Sequence, residues 1–370
     1  MWEREFEMSD RFAQEPSYRH GQANKIGIVW CNLGTPDAPT ASALRRYLAQ
    51  FLGDPRVVEI PRLVWLPILH GIILRLRPAK SAAKYASIWT EQGSPLLHGT
   101  LSQAQALQTR FDPERVMVRP AMRYGSPALP TVLDEMRSAG VNQLLVLSAY
   151  PQYSATTTAS VWDDVCQWMK RHRNLPEMRW VKHYHDHPKY IEALAAQVRR
   201  HWQTTGRQAH LVMSFHGVPQ RTLELGDPYH CECHKTGRLL AQALSLKPDQ
   251  YTLTFQSRFG KAKWLEPYTE PTVKRLAQEG HQALDVICPG FVTDCLETLE
   301  EIAMEVQAAF LESGGSDFGY IPCLNSDPSW IDALVDIAST HLHGWNTSTV
   351  SNVKELDEQR VRALALGAKN

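Results

Sequence analysis

The sequence predicts an α/β chain with two doubly wound halves, each a parallel sheet covered by helices. Three observations carry this expectation. Eight short apolar runs alternate with stretches of helical periodicity along most of the chain. The runs are near-continuous rather than alternating, as strands buried on both faces are. The chain has 370 residues, 43% of them hydrophobic, enough for two cores of ordinary size.

Residues 1–24 form a polar extension with mixed charge and no apolar stretch of the signal-peptide kind. The first expected strand is 26–31, IGIVWC, followed by a helix at 41–52. Segment 64–84 breaks the pattern: it is apolar, interrupted by Pro67 and Gly71, then basic at Arg75, Arg77, Lys80 and Lys84. It reads either as a core helix with a solvated turn, or as an apolar lip that touches lipid beside basic charge. A helix at 97–110 leads to a strand at 116–119, a helix at 129–138 and a strand at 143–149. A helix at 156–171 and the polar stretch 172–176 follow, and that stretch is the expected domain boundary. The first domain is then 25–172 and the second 173–324, with strands at 179–184, 210–215, 251–256, 284–288 and 319–322. Helices at 190–204, 236–244, 270–278 and 295–311 alternate with those strands. The helical region within 325–343 is expected to return to the first domain, leaving a polar, poorly ordered tail at 344–370.

Composition excludes several classes. Lys plus Arg equals Asp plus Glu, at 39 each, so no electrostatic case for nucleic acid exists. No long apolar window suggests a membrane span, and a cytoplasmic protein is expected. The cysteines number seven and are scattered, which argues against a disulfide framework.

Two stretches carry the chemistry. His216 ends the apolar run Leu211-Val212-Met213, at the strand exit where α/β proteins place reactive groups. It titrates near neutrality and can take a proton or bind a metal. Asp294, Glu297, Glu301 and Glu305 lie at offsets of 0, 3, 7 and 11, one stripe of a helix. Asp294 and Glu297 also fit an ordinary helix start, and a solvated face would account for the other two. Both stretches open at the carboxyl end of a strand, so they can face each other across a cleft. Hard oxygens with one imidazole suit Fe²⁺.

Cys231-x-Cys233 beside His234 could join an iron–sulfur cluster, but no second cysteine pair completes the usual spacing. His183, His185 and His187 alternate and read as a polar strand end. Tyr124, Tyr150, Tyr153, Phe215, Phe259 and Trp264 lie near strand ends and could stack on a flat conjugated ligand. Arg75, Arg77, Arg123, Arg258, Lys261 and Lys263 could pair with its carboxylates.

Taken together these residues resemble the ferrochelatases, and most closely their bacterial branch. The resemblance spans about 25–343 and rests on LVMSFHGVPQRTLELGDPY, NLGTP, AYPQYS, FQSRFG with Trp264-Leu265, and DCLETL. It implies two Rossmann-like domains with a porphyrin cleft between them. It implies insertion of Fe²⁺ into protoporphyrin IX, the last step of haem synthesis, with Fe²⁺ as substrate and no cofactor required. By resemblance His216 is the essential histidine, Glu297 its partner acid at the metal, and Glu301 a further catalytic acid. Leu33, Tyr124 and Trp264 match pocket-lining positions, and Arg75 an arginine that meets a propionate. Cys295 stands where several members carry histidine, and Gly217 where others carry serine. The tail has no cysteine, so the tail-borne cluster of animal members cannot be built. The alternatives are a chelatase for coproporphyrin iron or for cobalt, or a non-catalytic tetrapyrrole or metal carrier.

Overall fold

The computed structural model describes residues 12–260, 262–347 and 353–369. Its strands are β1 (Lys25–Thr35), β2 (Val116–Gly125), β3 (Val141–Ser148), β4 (Glu177–Trp180), β5 (His210–His216), β6 (Tyr251–Gln256), β7 (Ala283–Ile287) and β8 (Asp317–Ile321). They form two sheets, ordered β2-β1-β3-β4 and β6-β5-β7-β8, with every pairing parallel. Ile28, Val29, Trp30, Val212, Met213 and Val286 are buried whichever face they point to, which is why these runs do not alternate.

Both halves share the same strand order, with the first strand of each in an interior position. The order reverses beside β1 and beside β5, so the carboxyl ends of those strands border crevices. Leu33 and Gly34 lie at one such end and His216 at the other. One continuous hydrophobic cluster joins the halves: Ile28, Trp30 and Leu145 belong to it together with Met213, Phe215 and Ile287. Gln103 adds a polar link. It accepts from Trp30 Nε1 (3.0 Å) and donates to the carbonyls of Val292 (2.8 Å) and Asn325 (2.7 Å).

The helix Pro328–Leu342 packs back on this core, with Trp330 6.3 Å from Trp30 and 5.9 Å from Tyr184 between ring centres. The structure departs from expectation at two places. The fourth strand is 177–180, not 179–184, and it pairs with β3 in the first sheet. The crossover therefore lies beyond the polar stretch 172–176, because this edge strand carries Glu177 and Arg179 and lacks a long apolar run. The tail contains a helix, Val353–Ala365, where poor order was expected; a side chain on Gly21 would collide with the Leu356 carbonyl, so extension and tail touch.

Candidate active site

His216 is the last residue of β5 and is half-buried. Its Nδ1 lies 2.6 Å from the Gly217 carbonyl, which can only accept, so Nδ1 carries hydrogen and Nε2 is the nitrogen that gains or loses a proton. The Tyr229 hydroxyl donates to the His216 carbonyl (2.9 Å) and fixes the backbone. Gly217 makes the turn possible: a Cβ there would sit 2.7 Å from the Gln256 carbonyl and 3.1 Å from the Trp264 ring.

The acids are wound differently from a standard helix. Glu297–Val306 is a π-helix of 10 residues. Bonding from i+5 to i gives roughly 80° per residue, so Glu300 and Glu305 stand about 50° apart, against about 140° on an α-helix. Both accept from Lys84 Nζ, each at 2.8 Å, tying this helix to Leu74–Ile88 of the lip. Glu305, placed in the acid stripe, is exposed and paired in this way.

Gln256 joins the two halves of the site. It pairs with His216 in the β5–β6 ladder and donates Nε2–H to the Glu297 carbonyl (2.7 Å) and more loosely to Glu301 Oε2 (3.4 Å). Glu301 also accepts from the backbone N–H (2.6 Å) and the hydroxyl (2.5 Å) of Ser257. Ser257 has φ 63°, a left-handed conformation that turns both donors toward the carboxylate. Burial raises the Glu301 pKa; the Ser257 bonds and the His216 charge oppose that shift, and the Glu297 charge adds to it. Burial, and next to it the Glu297 charge, pushes the Tyr47 hydroxyl pKa up; Glu297 acts in the same direction on the buried Tyr85. The Glu297 charge therefore acts on Tyr47 and Tyr85 of the first half, and Glu301 interacts with both His216 and Glu297.

Asp294 is a correction to the stripe. It precedes the helix, and its carboxylate is taken up by the Tyr320 hydroxyl, the Cys323 N–H (3.1 Å) and the Asn325 amide (2.7 Å). The N-cap position belongs to Leu296.

Leu33 and Tyr124 share one apolar cluster with Tyr47, Phe51, Tyr85 and Leu296. Tyr124 is 1% exposed, and its hydroxyl donates to Asp54 (2.7 Å). Arg123 is bound inward to Asp54 (2.7 Å) and the Ser160 hydroxyl (2.8 Å), so it is not a free partner for a ligand carboxylate. Tyr150 is in a buried setting, and its hydroxyl finds no hydrogen-bond partner among the described residues. Phe259 is exposed, and the Arg77 guanidinium lies 4.8 Å above its ring, across the mouth between the halves. Arg75 is exposed on the lip, Arg258 lies 5.1 Å over Tyr268, and Lys261 falls outside the described residues. Cys231 and Cys233 diverge on helix Tyr229–Ala243, one exposed and one buried, about 200° apart. The lip buries Leu69, Leu74 and Ala82 in the cluster with Tyr124 but leaves Val64, Ile72 and Leu76 exposed, as it does the preceding Leu63, so one face of this segment is core and the other is open.

Gln256, Ser257, Tyr47 and Tyr229 were not singled out by the sequence. Gln256, Ser257 and Tyr229 lie inside the motifs FQSRFG and GDPY, which was the available signal. Tyr47 gave none.

A family model described as Ferrochelatase matches residues 25–342. The chain belongs to the ferrochelatase family. Its chemistry is therefore that of a chelatase. A ferrochelatase of Methylibium petroleiphilum is 60% identical over 362 residues, covering 97% of this chain and 99% of that protein. One of an Azoarcus species is 57% identical over 359 residues, covering 97% and 99%. Among solved structures, SirB from Bacillus subtilis with Fe³⁺ aligns over 88% of this chain and 100% of that one, with TM-score 0.51 and 11% identity. That likeness shows the shared fold alone.

Proposed function

We propose that this protein inserts Fe²⁺ into protoporphyrin IX to form protohaem and releases two protons, as a metal-inserting lyase. The observation that carries the reading is the arrangement around Gln256: its backbone pairs with His216 in the strand ladder, and its side chain donates to the Glu297 backbone carbonyl and, more loosely, to the Glu301 carboxylate of the π-helix. π-Windings of this kind recur at functional sites.

Inserting a dication requires two pyrrole protons to leave. His216 Nε2 is oriented to accept one. Glu297 helps hold the incoming metal, and Glu301 takes part in proton relay, since burial makes its carboxylate retain a proton more readily than an exposed glutamate does. Glu305 stands further along the same helix, toward solvent. Leu33, Tyr150, Phe259 and Trp264 supply surfaces for the macrocycle, Tyr124 supports them from inside the cluster it shares with Leu33 rather than by direct contact, and Arg75 meets a propionate at the lip. Peripheral binding energy offsets out-of-plane bending of the ring, which exposes nitrogen lone pairs to the metal. The reaction involves no redox change and needs no organic cofactor.

No helix among the described residues is long and apolar enough to cross a membrane. Exposed Leu63, Val64, Ile72 and Leu76 beside Arg75 and Lys80 support peripheral contact with lipid, which suits an apolar porphyrin. The test is His216→Ala, assayed by Zn²⁺ or Fe²⁺ insertion into protoporphyrin. Near wild-type turnover in a folded variant would remove the central role given to His216. A carrier of the same fold would quench porphyrin fluorescence on binding and form no metalloporphyrin.

A further inference from the structure

A second cluster of metal-type side chains lies apart from the insertion site. His183 and His185 follow β4, on the segment that leaves the first sheet; Glu232 is on helix Tyr229–Ala243. Among the described residues these three alone form a group of at least three His, Cys, Asp or Glu whose ligand atoms all lie within 4.8 Å of one another. His183 Nδ1 is 2.6 Å from Glu232 Oε1, and His185 Nδ1 is 3.3 Å from Glu232 Oε2. Glu232 is buried and is oriented by the Tyr153 N–H, which donates to Oε2 (2.7 Å).

Ion pairing with His183 alone does not account for this set. His185 is 5% exposed, and its Nδ1 has no hydrogen-bond partner although it points at the carboxylate. Its Nε2 is 4.0 Å from Asp186 Oδ2, too far for a hydrogen bond, so no bond holds a proton on either ring nitrogen; in the tautomer with hydrogen at Nε2, the Nδ1 lone pair faces carboxylate oxygen. Two electron-rich atoms facing each other in a buried place are unfavourable without a proton or cation between them. The nearby positive charges are already engaged: Lys235 pairs with Asp186 (2.5 Å), and Lys182 lies over the Tyr153 ring (5.0 Å). His183 is the exposed member, so the cluster has an entry side.

We propose that His183, His185 and Glu232 form a divalent transition-metal site, distinct from the insertion site, of the imidazole-and-carboxylate class that suits Zn²⁺ and Fe²⁺. A bound ion would fasten the segment after β4 to the helix whose Tyr229 holds the His216 carbonyl. Asp186, held by Lys235, adds a carboxylate 4.0 Å from the far nitrogen of His185.

The test is equilibrium dialysis of the full chain against Zn²⁺, comparing wild type with His183→Ala, His185→Gln and His216→Ala. Wild type is expected to retain one more equivalent than His183→Ala or His185→Gln and to show a larger rise in melting temperature with Zn²⁺. The extra equivalent is expected to persist in His216→Ala. Equal stoichiometry in wild type and both cluster variants overturns the proposal. So does loss of the extra equivalent in His216→Ala, which would assign the ion to the insertion site instead.

Discussion

Ser257→Ala tests the proton chemistry at the π-helix. The Ser257 hydroxyl donates to Glu301 Oε2 (2.5 Å), a bond that favours the ionised carboxylate. A hydrogen bond to a charged group is worth about 1.5–3 kcal/mol. With roughly 1.4 kcal/mol for each tenfold change, its loss strengthens proton binding at Glu301 by about tenfold or more. The backbone N–H bond (2.6 Å) remains, so the carboxylate stays in place. Burial already raises this pKa, and the substitution acts in the same direction. If turnover needs ionised Glu301, the acid limb of the kcat profile moves to higher pH. The assay is Zn²⁺ insertion into protoporphyrin, followed by fluorescence across pH in buffers of equal ionic strength. Ser257→Gly relieves the left-handed conformation but loses the same hydroxyl, so it should shift the limb equally. An unmoved acid limb in both variants, with normal folding, would refute the assignment of Glu301 to proton transfer.

Other substitutions probe the same framework. Glu297→Gln should lower kcat by about 10²–10⁴-fold with little change in porphyrin KM, since the carbonyl bond to Gln256 is kept; unchanged insertion kinetics would refute its role. Gly217→Ala forces a Cβ against the Gln256 carbonyl and should cost about 1–3 kcal/mol in denaturant unfolding, with Trp264 fluorescence altered. Asp54→Asn removes the nearer of two carboxylates on the mostly buried Arg123, Asp164 remaining at 3.5 Å, and weakens bonds from Ser160 and Tyr124; it should destabilise by about 1–3 kcal/mol, read from urea melts. Burial works against ionised Asp54, but bonds from Ser160 and Tyr124 outweigh it and lower its pKa. Its stabilising contribution is therefore complete above the unfolded aspartate value, about 3.9, and fades as pH falls below it. In the Asn variant that part of the acid dependence should be missing from stability measured against pH.

The double sheet was legible because its strands announce themselves: Ile28–Cys31 and Leu211–Met213 are apolar at successive positions, and helices separate them. Edge strand β4 was displaced in the reading because Glu177 and Arg179 interrupt it and the apolar signal begins only at Trp180 and Val181. The histidine was legible from its place at a strand exit. The winding of the acid helix was not, because acids spaced three and four apart fit an α-helix as well as a π-helix. Apart from a long bond from the Thr298 hydroxyl (3.4 Å), the partners of Asp294 lie 26 to 31 residues away, at Tyr320, Cys323 and Asn325, which no local pattern reveals. The tail helix did carry a signal in KELDEQRVRALA, a run of strong helix formers that its polarity obscured.

The winding of Glu297–Val306 has a consequence for drift and for engineering. Losing one codon there would let the segment relax toward the commoner 3.6-residue turn, a change expected to be tolerated by the backbone. It would also swing every later side chain by about a quarter-turn and part Glu305 from Lys84. The shorter gene product would keep a continuous helix yet lose the tie between the acids and the lip, so a single deletion would separate the integrity of the backbone from the placement of its side chains.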